Sequence, residues 1–333
     1  HPSDDGRGLR KRRRDHALIP KGDFSLVFHV PKRVLDLGWD YRQVYRHFVD
    51  ALTPLGARCA LVHNNRETAL AEIEADAAFH ILDRGVIEHP RVLNCGSAYI
   101  EPFHYLDPVG TRYRSSIGQL DFDAASIDPV AAKAFQAELY AATAAKRKSR
   151  YDQPEEKLDM PEGCISVFLQ SESDRSVEER LYFTMRRMIK ALLARDDPRP
   201  IMVKPHPRDI DFETLGWLLS KSKKDPRLQI TYANIHDMLA ACSLAVTINS
   251  AVGIEAMVHG KRVITCGQAD FHHCTEVVKD RHAFDAAIAR AEAREWPFAE
   301  YLFWFYRQNC LSLKSPTLGA DILAKITATG YFD

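Results

Sequence analysis

The chain has 333 residues, of which 46% are hydrophobic. A single hydrophobic core rarely grows beyond ~250 residues, so we expect two domains. Lysine plus arginine and aspartate plus glutamate number 45 each, and this balance gives no overall field that would favour nucleic acid as a partner. No apolar run reaches the ~18 residues of a membrane span, and the first residues lack the pattern of a signal peptide. The seven cysteines stand apart in the sequence and are expected to be reduced, as in a cytoplasmic protein.

The start of the chain is unusual in two respects. It begins at His1 without methionine, which suggests a piece of a longer protein, such as a synthase with other domains. Residues 10–14 read Arg-Lys-Arg-Arg-Arg, and we expect the tail 1–22 to be disordered. Three alternatives stay open for this tail: a solvated segment, peripheral contact with anionic lipid at about 1 kcal/mol per basic residue, or local contact with nucleic acid.

From residue 24 the sequence alternates between β-rich and helical runs, which predicts right-handed parallel α/β units. In the first half we expect strands at 24–30, 58–63, 77–82 and 91–99, and helices at 41–55, 66–74 and 130–146. Residues 100–110 carry Pro102, Pro108 and Gly110 among aromatic and acidic residues, and are predicted to be a loop at a cleft.

A polar stretch at 148–162 predicts a domain boundary, with an α/β domain at 23–155 and a second at 156–290. In the second half we expect strands at 164–169, 200–203, 228–232, 244–248 and 262–265, and helices at 177–195, 212–222, 235–241 and 252–259. The predicted fold is therefore α/β, with two Rossmann-like domains and a crevice between them. A C-terminal helical segment, 291–333, is expected to cross back. Its aromatic run at 298–310 predicts burial against both domains, and a helix on a membrane surface is the alternative.

Polar residues follow three of the predicted strands in the second half. They are Gln170, Glu172 and Asp174, then Lys204, His206, Pro207 and Arg208, then Asn249 and Ser250. The carboxyl ends of parallel strands meet at one edge, where ligands bind. Ser250 is expected to cap the next helix, whose first N–H groups attract anions, and Gly253 would let another backbone come close. The pattern predicts a nucleotide-phosphate site, and ordinary strand ends before a capped helix are the alternative. Asp174 could equally serve as nucleophile, base or helix cap.

Taken together, these motifs resemble the capsule-synthesis β-Kdo transferases. Those bacterial enzymes transfer 3-deoxy-D-manno-oct-2-ulosonic acid (Kdo) from CMP-Kdo in capsule or lipopolysaccharide synthesis. The resemblance runs from 164 to 267 and rests on the residues above with Ser176, Pro205, Glu255, Ala256, Gly260, Lys261, Arg262, Val263 and Gly267. Two positions depart from the pattern: Leu169 stands where glycine is common, and Asn249 where serine or threonine often precedes Ser250.

The resemblance implies a glycosyltransferase-B (GT-B) architecture, with the CMP-sugar donor on the second domain and the acceptor on the first. It also implies retention of configuration by two displacements. In that scheme Asp174 is the nucleophile and His206 stabilises departing CMP. Glu101 of the first domain is the acid/base residue, with Asp107 or Glu172 as alternatives. The expected donor-binding residues are Gln170, Glu172, Lys204, His206, Pro207, Asn249, Ser250, Gly253 and Glu255.

Several points remain open at this level. Glu255 is expected either to accept hydrogen bonds from ribose hydroxyls or to be a plain surface residue. Since CMP is a good leaving group, the reaction requires no metal and no cofactor, and residues 270–274 are interpreted as a loop beside the donor pocket. The segments 105–108 and 112–116 are a candidate acceptor wall.

The expected partners are a CMP-sugar donor and a glycan or lipid-linked glycan acceptor. The expected location is the cytoplasm, or the inner face of the cytoplasmic membrane. Two other functions stay open. One is a transferase for another CMP-activated ulosonic acid, such as a sialic acid, and the other is a catalytically silent glycan-binding domain of a larger synthase.

Overall fold

The computed structural model describes residues 23–37, 43–171, 179–207 and 212–332. They form two α/β halves, each built on a six-stranded sheet. The predicted fold class of two Rossmann-like domains with a crevice between them is confirmed. The domain bounds at 155/156 and 290/291 stay a prediction.

The first sheet combines parallel and antiparallel pairing. Its strands are β1 (Phe24–Val30), β2 (Ala57–His63), β3 (Phe79–Asp83), β4 (Val92–Ser97), β5 (Phe103–Asp107) and the late strand β12 (Leu311–Ser312). Along the sheet the order is β12-β5-β4-β3-β1-β2, with β1 to β4 parallel and β5 antiparallel to β4. The connecting helices are α1 (Lys32–Leu37), α2 (Gln43–Leu52) and α3 (Ala69–Glu74). In α2, Val44, Tyr45, Phe48 and Leu52 are buried, the stripe expected of a helix on a sheet.

Strand β5 corrects the prediction of a loop at 100–110. All five of its residues are buried, since β5 lies between β4 and β12 and aromatic side chains cover it. The ring of Tyr306, for example, lies 4.6 Å from that of Phe103. A strand covered on both faces lacks the alternation of apolar and polar residues on which strand prediction depends.

The second sheet is wholly parallel. Its strands are β6 (Ile165–Phe168), β7 (Ile201–Lys204), β8 (Leu228–Ile230), β9 (Leu244–Thr247), β10 (Arg262–Thr265) and β11 (Glu276–Val277). The order β11-β10-β9-β6-β7-β8 is that of a Rossmann fold. Successive strands are added on one side of β6 up to β8 and then on the other side from β9, so the strand order reverses between β6 and β9. Ligands bind at the carboxyl ends of the strands at such a reversal.

The helices of the second half follow the predicted alternation. They are α5 (Met185–Leu193), α6 (Phe212–Ser222), α7 (Ile235–Ala241), α8 (Val252–Val258) and α9 (Phe284–Ala293). The helix predicted at 177–195 begins only at Met185. Thr184 caps it by accepting from the Arg187 N–H at 3.2 Å, and Leu181 before it forms a bridge with Gly267.

The C-terminal segment joins the two halves. Helix α10 (Phe298–Phe303) continues as a π-helical turn, Trp304–Gln308, and packs against α4 (Pro129–Ala142) and α8. Strand β12 then enters the first sheet, and α11 (Leu318–Thr327) packs on α2. Tyr301, Phe305 and Tyr306 are fully buried, so the predicted burial against both halves is confirmed and the membrane-surface alternative is wrong. Among the described residues, no helix is long and apolar enough to cross a membrane.

Candidate functional site

A cleft of about 740 Å³ lies between the two halves, at the carboxyl ends of β6 and β9. The second half contributes Gln170, Ser171, Glu179, His206, Asn249, Ser250, Ala251, Gln268 and Ala269. The first half and the connecting segment contribute Arg66, Arg84, Val86, Tyr99, Thr111, Arg112, Tyr113, Arg114, Arg150 and Tyr151. Four of the strand-end residues predicted from the sequence therefore meet at the reversal point of the Rossmann sheet: Gln170, His206, Asn249 and Ser250.

Gln170 and Asn249 connect the ends of β6 and β9. The Gln170 amide donates to Asn249 Oδ1 at 2.8 Å, and its oxygen accepts from the Asn249 backbone N–H at 2.8 Å. The Asn249 amide also donates to the backbone oxygen of Gln268 at 2.9 Å and to the Glu179 carboxylate. The asparagine that departs from the family pattern thus connects the neighbouring segments of the cleft through its side-chain amide and its backbone N–H.

Ser250 lies in the cleft, but the start of α8 differs from the prediction. The N-cap position belongs to Ala251, and Ser250 Oγ accepts from the Val252 N–H at 3.3 Å. The N–H groups of Gly253 and Ile254 already donate to the carbonyls of Ser250 and Ala251. The N–H groups of Val252, Gly253 and Ile254 are therefore engaged within this turn, and the Ser250 hydroxyl lines the cleft.

His206 lies in the cleft after β7, with its ring 5.3 Å from that of Tyr151 in an edge-to-face arrangement. Tyr151 belongs to the segment that connects the two halves, so an aromatic contact fixes His206 from the opposite side. Pro207 is exposed and does not line the cleft.

Lys204 lies outside the cleft lining, contrary to the expectation that it contacts the donor. It is 7% exposed, and its ammonium donates to the carbonyls of Tyr232 at 3.2 Å and of Ala233. Burial lowers the pKa of Lys204 to about 8. The charge of Lys204 thus holds the loop after β8 against the end of β7.

Gly253 and Glu255 also differ from their expected environments. A Cβ on Gly253 would lie 2.8 Å from the ring of Phe271, so the close neighbour is an aromatic side chain and not a backbone. Glu255 is 6% exposed, which excludes the surface alternative. Burial raises the pKa of Glu255 to about 7, although a hydrogen bond with Ser149 opposes that rise. Neither residue lines the cleft.

Glu255→Gln is expected to stabilise the protein by about 2 kcal/mol at pH 8. The folded state holds a proton that the unfolded chain releases above its ordinary pKa of 4.5, so stability falls as pH rises from there to about 7. That interval corresponds to about 3 kcal/mol, offset by roughly 1 kcal/mol for a newly buried amide N–H. Urea unfolding at pH 5 and pH 8 measures the difference.

The exposed Glu295 provides a matched control, since Glu295→Gln should change stability at neither pH. An equal gain for Glu255→Gln at both pH values would contradict the assignment of a buried, ionising carboxyl.

The carboxylates expected to act as acid or base have separate locations. Glu101 is exposed and is not among the residues that line the cleft, and Ser97 Oγ lies 3.4 Å from its Oε1. Asp107 is buried, and its oxygens accept from the N–H groups of Val109, Gly110 and Ser116 and from the Ser116 hydroxyl. Asp107 therefore fixes a loop. Glu172, Asp174 and Arg208 lie outside the described residues.

Asp270, in the loop expected to border the donor pocket, joins the two halves. It is 1% exposed and accepts hydrogen bonds from three hydroxyls of the first half: Tyr99 at 2.6 Å, Tyr105 at 2.7 Å and Ser115 at 2.7 Å. Burial raises the pKa of Asp270 to about 6, and these hydrogen bonds oppose the rise. The following histidines, His272 and His273, each place Nε2 near a carbonyl of the loop at 118–120. The loop at 270–274 thus fixes the two walls of the cleft relative to each other.

Sequence reasoning missed several residues of the cleft, namely Arg66, Arg84, Glu179, Arg150, Tyr151 and Gln268. Arg66 and Arg84 follow β2 and β3, so the strand-end argument that found Gln170 and Ser250 could have found them. The others lie in connections whose path the sequence does not indicate.

Two Rossmann-like α/β halves, a cleft at the reversal point of the second sheet and a C-terminal segment that returns to the first half define a GT-B-like protein. The profile of the family described as capsule polysaccharide biosynthesis protein matches residues 131–302, about half of the chain. The chain therefore belongs to the capsule polysaccharide biosynthesis protein family, as the resemblance indicated.

The fold is similar to that of KpsC, β-Kdo 2,4 transferase, from Thermosulfurimonas dismutans. The two share 15% sequence identity over 83% of this chain and 88% of that one, with a TM-score of 0.51. A KpsC described as a β-Kdo 2,7 transferase, from the same organism, matches with 15% identity over 78% of this chain and 84% of that one, at a TM-score of 0.46. No curated protein matches the chain.

Proposed function

We propose that this protein is a retaining glycosyltransferase that transfers Kdo from CMP-β-Kdo to a bacterial surface-glycan acceptor. Membership of the capsule polysaccharide biosynthesis family supports a role in such a glycan. The observation that carries the proposal is the convergence of His206, Ser250 and the Gln170–Asn249 pair in one cleft at the reversal point of a Rossmann sheet. These are the residues on which the resemblance to β-Kdo transferases rests.

The donor would lie against the second half, with its phosphate between His206 and the Ser250 hydroxyl. Both side chains can donate a hydrogen bond to a phosphate oxygen. Gln170 and Asn249 each donate a hydrogen bond of 2.8 Å to the other. This pair would hold the ends of β6 and β9 in place beneath the phosphate. A preorganised arrangement of this kind stabilises the charge that develops on CMP as it leaves.

The reaction would proceed in two displacements. The Asp174 carboxylate attacks the anomeric carbon, the bond to the phosphate oxygen breaks, and CMP leaves with the bonding electron pair. An acceptor hydroxyl then attacks the same carbon, releases Asp174 and loses its proton to a base. Two inversions give net retention. We propose no metal and no cofactor, because CMP departs as a phosphate monoester.

The base that accepts the proton belongs to the acceptor side of the cleft in this proposal. Glu101 keeps that role as a prediction carried over from the resemblance. Glu101 is exposed and does not line the described part of the cleft, where the lining carboxylate is Glu179. To act as the base, the Glu101 side chain would therefore have to face the bound acceptor. If the acceptor is lipid-linked, the enzyme would work at the inner face of the cytoplasmic membrane.

His206→Ala is expected to weaken CMP binding at least about tenfold, because a charge-assisted hydrogen bond to the phosphate is lost. Isothermal titration of both proteins with CMP measures this effect. The wild type is also titrated with UDP, and it should bind CMP more tightly than UDP. The exposed His282 provides a control, since His282→Ala should bind CMP as the wild type does. Equal binding of CMP by His206→Ala, or tighter binding of UDP by the wild type, would overturn the proposed donor site.

A further inference from the structure

The segment that connects the two halves includes an arm, residues 147–154, which lies between α4 and β6. Tyr151, near the middle of this arm, lines the cleft, and its ring lies 5.3 Å from the ring of His206. Since His206 would contact the donor phosphate, the placement of the arm bears on the donor site. The contacts of the arm decide whether it belongs with the first or the second half.

The beginning of the arm is bound to helix α7. The Arg147 guanidinium donates to both carboxylate oxygens of Asp237, at 3.0 and 2.8 Å, and Asp237 is buried. The carbonyl of Arg147 accepts from the side-chain amide of Asn234 at 3.0 Å. Paired hydrogen bonds between arginine and a carboxylate fix geometry as well as adding energy. Residue 147 is therefore held firmly on the second half.

The next two residues are held by α7 and α8. Nε2 of His236 donates to the carbonyl of Lys148 at 2.8 Å, because a carbonyl oxygen can only accept. In the neutral ring Nδ1 then accepts from Nε2 of His259, directly after α8, at 3.0 Å. Burial lowers the pKa of His236, and that of His259 to about 4, so both rings stay neutral at pH 7. Ser149 forms a hydrogen bond with Glu255 of α8.

The end of the arm returns to the same helix. The side-chain oxygen of Gln153 accepts from the N–H of Ile235 at 3.1 Å, and the carbonyl of Pro154 accepts from the amide of Asn234 at 3.2 Å. Asn234 thus binds both ends of the arm. Residues 150–152 form a short loop between these fixed ends, with Tyr151 at its centre. The arm therefore belongs with the second half, and supporting contacts of this kind lock a side chain in place.

We propose that Tyr151 is a positioning residue for the donor phosphate, and that the contacts of the arm with α7 and α8 give it this role. The Tyr151 ring restricts the imidazole of His206 to the orientation in which it donates to the phosphate. A group that is already ordered loses less conformational freedom on binding. This inference rests on the proposed function, because it assigns the phosphate to His206.

The test compares CMP with cytidine, which lacks the phosphate. Binding to the full chain is measured by isothermal titration for CMP and by NMR titration for cytidine. Tyr151→Leu removes the ring contact and should weaken CMP binding about fivefold, in keeping with the modest energy of an aromatic pair. Its cytidine binding should stay unchanged, because Tyr151 acts through His206 on the phosphate. A purely structural role would weaken the binding of both ligands alike.

Three further variants isolate the contact between the two rings. Tyr151→Phe keeps the ring and should recover most of the lost affinity for CMP. In the His206→Ala background Tyr151→Leu should have no further effect, since the contact is already absent. Tyr232→Leu is the matched control and should bind both ligands as the wild type does, because the Tyr232 side chain is 55% exposed and does not line the cleft.

Arg147→Ala tests the support of the arm. It removes the pair with Asp237 and should weaken CMP binding as Tyr151→Leu does, with cytidine binding again unchanged. Lys146→Ala is its control and should bind CMP as the wild type does, since Lys146 is exposed next to Arg147. Thermal unfolding checks that each variant is folded. If Arg147→Ala does not fold, the Tyr151 variants decide the question.

The role of Tyr151 is overturned by any of three results. They are an undiminished CMP affinity of Tyr151→Leu, an equal loss of CMP and cytidine binding in that variant, and additive effects of Tyr151→Leu and His206→Ala. Undiminished CMP binding by a folded Arg147→Ala would overturn the role of the arm. A wild type that does not bind CMP would overturn the proposed function and this inference with it, so the two failures are distinguishable.

Discussion

Asp270→Ala is expected to lower the free energy of unfolding by about 3 kcal/mol at pH 7. The hydroxyls of Tyr99, Tyr105 and Ser115 all donate to this carboxylate and are all buried. Left without an acceptor, each costs roughly 2 kcal/mol. Removing the carboxylate also relieves the cost of burying its charge, which is about 3 kcal/mol because its pKa rises from 3.8 to about 6 on burial. The balance is a net destabilisation.

The pH dependence of this variant has a definite sign. Because the charged form is buried, the free energy of unfolding of the wild type falls as pH rises from 3.8 to about 6. At low pH this penalty is smaller, so removing the carboxylate relieves less of it. The loss in Asp270→Ala should therefore be larger at pH 5 than at pH 7. Urea unfolding followed by tryptophan fluorescence measures both values.

Asp121→Ala provides a control for this experiment, because Asp121 is exposed on the adjoining part of the first half. A double-mutant cycle with Tyr99→Phe isolates the contact itself. Tyr99→Phe should destabilise the wild type but stabilise Asp270→Ala, because in that variant it removes a buried hydroxyl that lacks an acceptor. Additive effects in the cycle, or an Asp270→Ala as stable as the control, would show that the three hydroxyls do not depend on this carboxylate.

Asp174→Ala is expected to reduce sugar transfer by at least about 10³-fold, since no covalent intermediate can form without the nucleophile. CMP binding should be largely retained, because the phosphate would contact His206 and Ser250. Initial rates of CMP release with donor and acceptor, together with titration of CMP, measure the two properties.

Glu172→Ala separates the two nearby carboxylates. In the proposed mechanism it keeps measurable transfer, whereas Asp174→Ala does not. Normal turnover by Asp174→Ala, or loss of transfer only in Glu172→Ala, would show that Asp174 is not the nucleophile.

Much of the fold could be predicted because its signals are local. Helices α6 and α7 and strand β10 occupy their predicted ranges, since short apolar runs there are bounded by turns. Strand β5 could not be predicted, because all of Phe103–Asp107 is buried and shows no alternation between an apolar and a polar face. Two prolines, Pro102 and Pro108, also flank it and favour a loop. The late start of α5 depends on Leu181 pairing with Gly267, a contact 86 residues away in sequence that no local pattern shows.

Site residues could be predicted where they follow a strand. The prediction failed where contacts between distant segments determine the position of the side chain. Gln170, His206, Asn249 and Ser250 were found by their strand ends, and they line the cleft. Lys204 also ends a strand, but its ammonium binds the carbonyl of Ala233 in the next loop. The cleft arginines and the hydroxyl partners of Asp270 come from segments far apart in sequence, so only the folded chain shows them together.

The most direct test of the account is the intact mass of the wild type and of Asp174→Ala after incubation with freshly generated CMP-Kdo, without acceptor. The account predicts that the wild type gains the mass of one Kdo residue and that Asp174→Ala gains none. A wild type that binds CMP yet never carries the sugar, or an equal adduct on Asp174→Ala, would contradict the proposed retaining Kdo transferase with Asp174 as its nucleophile.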